Sequence, residues 1–234
     1  MSKTCWWEEC LLVEVRGIRK TYKREPVLRD ASFVLEGSGC LVGRNGSGKS
    51  TLLAIMAGLL KPDSGTVWMN GKPLSAARIG YVPQQDSLFE ELSVKDNILF
   101  RAAGANLSAR QAAEADCVRL LDLRSIWKKK VRDLSGGMRR RVAIAASLIH
   151  SPDLILLDEP FSGLDLLQKE ELLAHLCGLK EQGKTIIYAT HNTDEIVQPA
   201  DAMIALQHGV TTVVDIRNMD TAKMRSTVMQ LLRQ

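Results

Sequence analysis

Eight consecutive residues, Gly43-Arg44-Asn45-Gly46-Ser47-Gly48-Lys49-Ser50, restrict this chain more than any other stretch. They satisfy the pattern G-x-x-x-x-G-K-[ST], follow a short apolar run from Cys40 to Val42, and lead into a helical pattern starting near Lys49. A strand that breaks into a glycine-rich loop and then a helix turns backbone N–H groups inward, and the helix N-terminus adds a partial positive charge. That arrangement fits phosphate. Lys49 is expected to reach the β- and γ-phosphates of a nucleotide, the Ser50 hydroxyl to take a position on Mg²⁺, and Thr51 to contact the α-phosphate side.

A second run, Leu154-Ile155-Leu156-Leu157 ending in Asp158-Glu159, reads as a buried strand whose terminal carboxylate meets the Mg²⁺ shell. With the phosphate loop it points to a nucleotide hydrolase. Apolar strands alternate with longer helical patterns through the chain, which favours an α/β core with a largely parallel sheet. Leu11 to Val15 and Ala31 to Leu35 read as early strands. Thr66 to Met69, the turn Asn70-Gly71 and Ile79 to Val82 read as a hairpin-like antiparallel region, since Asn-Gly supplies positive φ angles. From Ser93 to about Trp127 the pattern is helical, with Ser93 and Ser108 as N-caps. Helices are expected again from about Gly137 and from Leu166, a strand from Thr185 to Tyr188, and a last helix from about Thr221 to Leu232 with Met224, Val228, Leu231 and Leu232 on its packing face.

Composition excludes several classes. Of the 234 residues, 45% are hydrophobic and 25% charged, which argues against disorder. The longest apolar stretch, Leu52 to Leu60, is far short of the roughly 20 residues that cross a bilayer. No secretory signal is read at the N-terminus, so a cytoplasmic protein is expected. Five cysteines without a framework, Cys5, Cys10, Cys40, Cys117 and Cys177, read as free thiols. Cys5 and Cys10 flank Trp6 and Trp7, but no histidine or third cysteine lies near them, and no metal site is expected there. The net charge of +4 and the run Lys128 to Lys130 read as a solvated face, and with aromatics at 5% no direct nucleic-acid binding is expected.

Between the two nucleotide motifs lies Leu134-Ser135-Gly136-Gly137-Met138, where the chain resembles the ATP-binding domains of ABC transporters, whose signature reads L-S-G-G-Q. The resemblance runs from about Leu11 to Val214 and leaves out the N-terminal CWWEEC segment and the last helix. It implies a P-loop NTPase core in one ABC ATPase domain, residues 1–234, with a helical subdomain inserted at about 93–135, before the signature. Tyr22 resembles the aromatic residue that stacks on adenine. Gln84, with Gln85 as the competing register, looks like the glutamine that contacts Mg²⁺ and the attacking water. Asp165, in Ser162-Gly163-Leu164-Asp165, resembles the loop that crosses between subunits, and His191 resembles the switch histidine that supports the γ-phosphate.

The resemblance further implies Glu159 as general base, Asp158 on Mg²⁺, and Ser135 to Gly137 closing over ATP held by the opposite subunit. Met138 departs from the family's glutamine and bears on the exact signature contacts. The implied partners are a second ABC ATPase subunit, identical or related, and a separate transmembrane permease that holds this chain on the inner face of the cell membrane. Leu88 and Phe89 read either as anchors for that permease or as ordinary core. The Gly-Gly-Met-Arg-Arg-Arg run and the short C-terminus look more like exporter subunits, with an importer ATPase as the nearest alternative. A soluble ABC ATPase without a transport role shares the same site. The absence of Asn-Lys-x-Asp argues against a GTPase.

Overall fold

The computed structural model describes residues 11–196 and 199–231; the CWWEEC segment and Leu232 lie outside them. In chain order come β1 (Leu12–Tyr22), β2 (Glu25–Glu36), β3 (Gly39–Val42), α1 (Lys49–Met56), β4 (Ser64–Met69), β5 (Lys72–Pro73) and β6 (Ile79–Val82). Then follow α2 (Val94–Gly104), α3 (Ala109–Glu114), α4 (Asp116–Leu120), α5 (Gly136–Leu148), β7 (Leu154–Asp158), α6 (Leu166–Glu181), β8 (Thr185–Thr190), β9 (Ala202–Gln207), β10 (Val210–Asp215) and α7 (Thr221–Leu231). The ten strands form one sheet in the order β5-β4-β1-β2-β10-β9-β3-β8-β7-β6.

The sheet has two regimes. β9, β3, β8, β7 and β6 run parallel, and every residue of β3, β7 and β8 is buried. Helices on both faces explain why β7 reads as an unbroken apolar run rather than an alternating one. β1, β2, β4 and β5 pair antiparallel, and β2 alternates exposed and buried residues from Ala31 onward. The two regimes meet at one parallel bridge, Val210 to Asp30, supported by Arg29 and Asp30 amides donating to the Gly209 carbonyl.

One expectation is corrected. Asn70 and Gly71, both at positive φ, do close a hairpin, but its second strand is the two-residue β5; Ile79–Val82 lies at the opposite edge of the sheet, parallel to β7. Three of the four residues of β6 are buried, so the run belongs with the parallel layer. β1 and β2 extend well past the predicted apolar cores, and the β9–β10 hairpin, turning at His208-Gly209, was not read from the sequence.

Ser93 and Ser108 cap their helices as expected. Ser93 accepts from the Asp96 amide, and Ser108 forms a reciprocal capping box with Gln111. Residues of this helical stretch, among them Val94, Ile98, Val118 and Leu121, share one core with α5, β7 and β8. A second core, on the other side, packs α1 under β1, β2 and β4.

β1 and β2 are joined by Lys23-Arg24, both at positive φ although neither is glycine or asparagine. A two-residue loop of this type favours Asn-Gly, and each L-residue held left-handed costs about 1–2 kcal/mol. Replacing Lys23-Arg24 by Asn-Gly is therefore expected to stabilise the fold by about 1 kcal/mol, measured by urea unfolding.

Candidate functional site

The loop between β3 and α1 is shaped by glycines that nothing larger could replace. Gly48 has φ 103°, and a Cβ there would come within 2.9 Å of Val27 Cγ1. A Cβ at Gly43 would sit 2.6 Å from the Leu206 carbonyl oxygen. The strand thus exits tightly against β9 and the helix enters tightly against β2, which leaves the loop curled between them.

A cleft of about 460 Å³ opens over this loop, lined by Asn45 to Thr51 together with Tyr22, Val27, Gln84, Glu159 and His191. Tyr22 stands at the tip of the β1–β2 hairpin, partly exposed. Lys49 is 6% exposed; its Nζ donates to the Gly43 carbonyl at 2.8 Å and the Arg44 carbonyl at 3.3 Å, and lies 3.6 Å from Glu159 Oε1. Glu159, just past the end of β7, has φ 48°, a left-handed conformation that a carboxylate side chain rarely takes. Its amide donates to the Ala189 carbonyl, and its Oε2 accepts from His191 Nδ1 at 2.9 Å. A buried carboxylate, a buried ammonium and an imidazole therefore converge beside the phosphate-type loop.

Asp158 lies just behind. Burial and the neighbouring Glu159 charge push its pKa up, and the Ser50 hydroxyl beside it opposes that shift. Asp158 Oδ1 and Ser47 Oγ are buried without hydrogen-bond partners among the described residues. Buried polar atoms are nearly always satisfied, so two orphans flanking one loop mark where a ligand completes the bonding. Among the described residues no group of three His, Cys, Asp or Glu could hold a metal unaided. The oxygen donors of Ser50, Asp158 and Gln84 nevertheless suit a hard cation such as Mg²⁺ that takes its remaining ligands from phosphate and water.

The structure divides the predicted residues into two sets. Tyr22, Asn45, Gly46, Ser47, Gly48, Lys49, Ser50, Thr51, Gln84, Glu159 and His191 line the cleft, with Gly43, Arg44 and Asp158 immediately behind. Ser135, Gly136, Gly137 and Asp165 do not line it. Ser135 caps α5, its Oγ accepting from the Met138 amide at 3.3 Å, and Asp165 caps α6 by accepting from the Gln168 amide at 2.9 Å. These two helix starts abut: a Cβ at Gly137 would lie 3.2 Å from Gln168 Cγ, and one at Gly136 would lie 3.6 Å from Leu164 Cδ2. Ser135, Gly136 and Asp165 are exposed, and so are Leu166 and Leu167 beside them.

The core reading holds for Leu88 alone. Leu88 packs against the core, while Phe89 is half-exposed and meets Phe100 edge-on at 4.9 Å. Asn97, buried in α2, both accepts from and donates to the Phe89 backbone and so fixes the segment after Gln84.

Sequence reasoning missed two supports. Arg140 is buried in α5 and donates to the carbonyls of Pro83 and Asp158. Its spacing from Ala143 and Ile144 places a charge on an apolar helical stripe, a signal that was available. Glu195 accepts from Thr190 Oγ1 at 2.6 Å and Lys169 Nζ at 2.7 Å, bracing the segment that carries His191.

A strand–loop–helix phosphate cradle with a carboxylate pair at the end of a parallel strand one place removed in the sheet defines a P-loop nucleoside triphosphate hydrolase. The family model "ABC transporter" matches residues 33–162, and an AAA-domain model matches residues 128–197. The chain belongs to the ABC transporter family and is an ATP-binding subunit and ABC-type ATPase of a transporter.

Nod factor export ATP-binding protein I of Burkholderia orbicola (strain AU 1054) is 35% identical over 208 residues, spanning 84% of this chain and 68% of that protein. Molybdenum import ATP-binding protein ModC of Hahella chejuensis (strain KCTC 2396) is 38% identical over 192 residues, spanning 77% of this chain and 54% of that protein. The crystal structure of an ATP-binding cassette of an ABC transporter in its ADP conformation superposes with a TM-score of 0.82 at 22% identity, covering 94% of this chain and 98% of that one. No helix among the described residues is long and apolar enough to cross a membrane.

Proposed function

We propose that this chain hydrolyses ATP at a site shared with a facing ATPase subunit, and that the resulting opening and closing drives export through a separate membrane-spanning permease. The observation that carries this reading is the convergence of Lys49, Glu159, His191 and Gln84 on the glycine-loop cleft. Glu159 orients the attacking water and takes its proton; Lys49 and the loop amides hold the phosphates; Tyr22 stacks on adenine. Lys49 is bonded to the loop's own carbonyls, which phosphate oxygens would replace. His191 and Gln84 face the γ-phosphate end. Ser50, Gln84 and Asp158 would hold Mg²⁺, which when bound neutralises charge on the phosphate oxygens.

The exposed pair of helix starts, Ser135 to Gly137 and Asp165, supports a second half-site. A glycine-rich helix N-terminus offers amides and dipole to an anion brought by another subunit. The exposed Leu166 and Leu167 beside it are apolar surface that such a subunit would cover. We take that subunit as a second copy of this chain, with a related ATPase as the other reading. Residues 1–234 then form one ATPase domain, with 93–135 as its helical insertion, and the Phe89–Phe100 pair faces the permease on the inner side of the membrane. Export is favoured by the relatives named for Nod factor export, which align over more of this chain than the molybdenum import relative.

Tagged Glu159→Gln protein, expressed in its native host with ATP, is expected to co-purify with a polytopic membrane protein from detergent-solubilised membranes. Recovery with soluble partners alone, and no membrane pool, would overturn the transport reading. A permease that takes its cargo inward would replace export with import.

A further inference from the structure

Arg140 is the one arginine buried among the described residues, and the chemistry above does not use it. It sits five residues beyond Ser135, in the helix that begins at the signature. Its Nη1 donates to the Pro83 carbonyl at 2.9 Å and its Nη2 to the Asp158 carbonyl at 2.5 Å, while Nε is buried without a partner. The acceptors are informative. The Pro83 carbonyl belongs to the peptide that leads into Gln84, and the Asp158 carbonyl to the peptide that leads into Glu159. One rigid guanidinium fork therefore holds the main chain just before each of the two residues assigned to the attacking water.

The neighbouring Arg139 extends the same clamp outward. Its Nη2 lies 3.3 Å from Asp86 Oδ1 and its Nη1 lies 2.9 Å from Glu90 Oε1, so the signature helix grips the Gln84 segment at both its near and far ends. Stability alone gives little reason for Arg140. Burying a guanidinium is costly, no carboxylate is hydrogen-bonded to it, and one N–H is left unsatisfied. Glu159 in turn needs holding, because its left-handed backbone is strained for a residue with a side chain.

We infer that Arg140 is a positioning residue that couples the signature helix to the Gln84 and Glu159 peptides of the same chain, so that displacement of that helix by a facing subunit moves both water-side residues together. This rests on the roles proposed above for Gln84, Glu159 and Ser135. Lysine keeps the charge but offers no planar fork and cannot reproduce two divergent bonds.

The test is a double-mutant cycle on purified protein, reading steady-state ATP turnover, ATP-binding stoichiometry and thermal unfolding. Arg140→Lys is expected to lower kcat about tenfold with KM for ATP changed less than about twofold and binding stoichiometry intact. The double variant Gln84→Ala/Arg140→Lys is expected to lose less than the product of the two single losses, because part of the Arg140 effect passes through the Gln84 peptide and the rest through the Glu159 peptide. Arg140→Gln, which keeps one donor group, serves if the lysine variant does not fold. Normal turnover in these variants, or losses that multiply in the double variant, would overturn the coupling. A loss of turnover matched by lost binding stoichiometry would make Arg140 a structural support and overturn it equally. Glu159→Gln is run alongside: if it retains turnover, the site reading itself fails, whereas an inactive Glu159→Gln beside an unaffected Arg140→Lys defeats this inference alone.

Discussion

Glu159→Gln is expected to lower ATP turnover about 10³-fold while leaving ATP affinity within a fewfold of the parent. Glutamine keeps the size and one acceptor oxygen but cannot take a proton, and a positioned general base is typically worth 10²–10⁴ in rate, so about 4 kcal/mol of barrier returns. The phosphate contacts proposed for Lys49 and the loop amides are not touched by the substitution. Lys49 also loses a buried anionic neighbour at 3.6 Å, which frees it for phosphate and offsets any loss of binding. Single-turnover kinetics and equilibrium ATP binding on the same preparation separate the two effects. Weakened binding in step with lost turnover would place Glu159 among the phosphate contacts instead.

Lys49→Ala is expected to have the opposite signature. Nζ is the buried cation at the mouth of the phosphate loop, and truncating one partner of a desolvated charge contact costs about 2–5 kcal/mol, so ATP affinity should fall about 10²-fold or more. The substitution also leaves the Gly43 and Arg44 carbonyls without that donor and strands the Glu159 carboxylate with His191 as its remaining side-chain partner. The variant should therefore unfold at lower temperature than the parent, and ATP should protect it less. Lys49→Ala with parental ATP affinity would mean that the loop amides alone carry phosphate binding.

Much of this site was legible because its chemistry lies in short contiguous runs. Gly43 to Ser50 must be glycine-rich to curl, and Leu154 to Leu157 must be apolar because helices cover both faces of β7. The signature glycines could be read as a helix start, and the resemblance implied that they serve the opposite subunit's ATP, but their packing against Leu164 and Gln168 at the start of α6 appears only in the structure. The burial of Arg140 was legible from its place on an apolar helical stripe, but its partners were not, because they are carbonyl oxygens, which every residue carries.

The fold was less legible where pairing is long-range. Asn70-Gly71 announces a hairpin, yet nothing local says that its return strand is two residues long or that Ile79–Val82 crosses to the far edge beside β7. Register shifts at Val15/Ile18, Ile18/Lys20 and Lys20/Thr21 break the alternation that would have revealed the full length of β1. The β9–β10 turn at His208-Gly209 lacks the usual Asn-Gly or Asp-Gly signal.

The central claim, that each chain holds half of a shared ATP site, is tested most directly by mixing two variants that are inactive for different reasons. Lys49→Ala removes a chain's own phosphate cradle, and Ser135→Arg blocks the signature it lends to its partner. Paired with itself, neither has an intact site; paired with each other, they form one site with both halves intact and one with neither. Turnover that appears on co-expression and is absent from each variant alone, at up to about a quarter of the parental rate by random pairing, is the predicted result. Mixed dimers that form and remain inactive would contradict it.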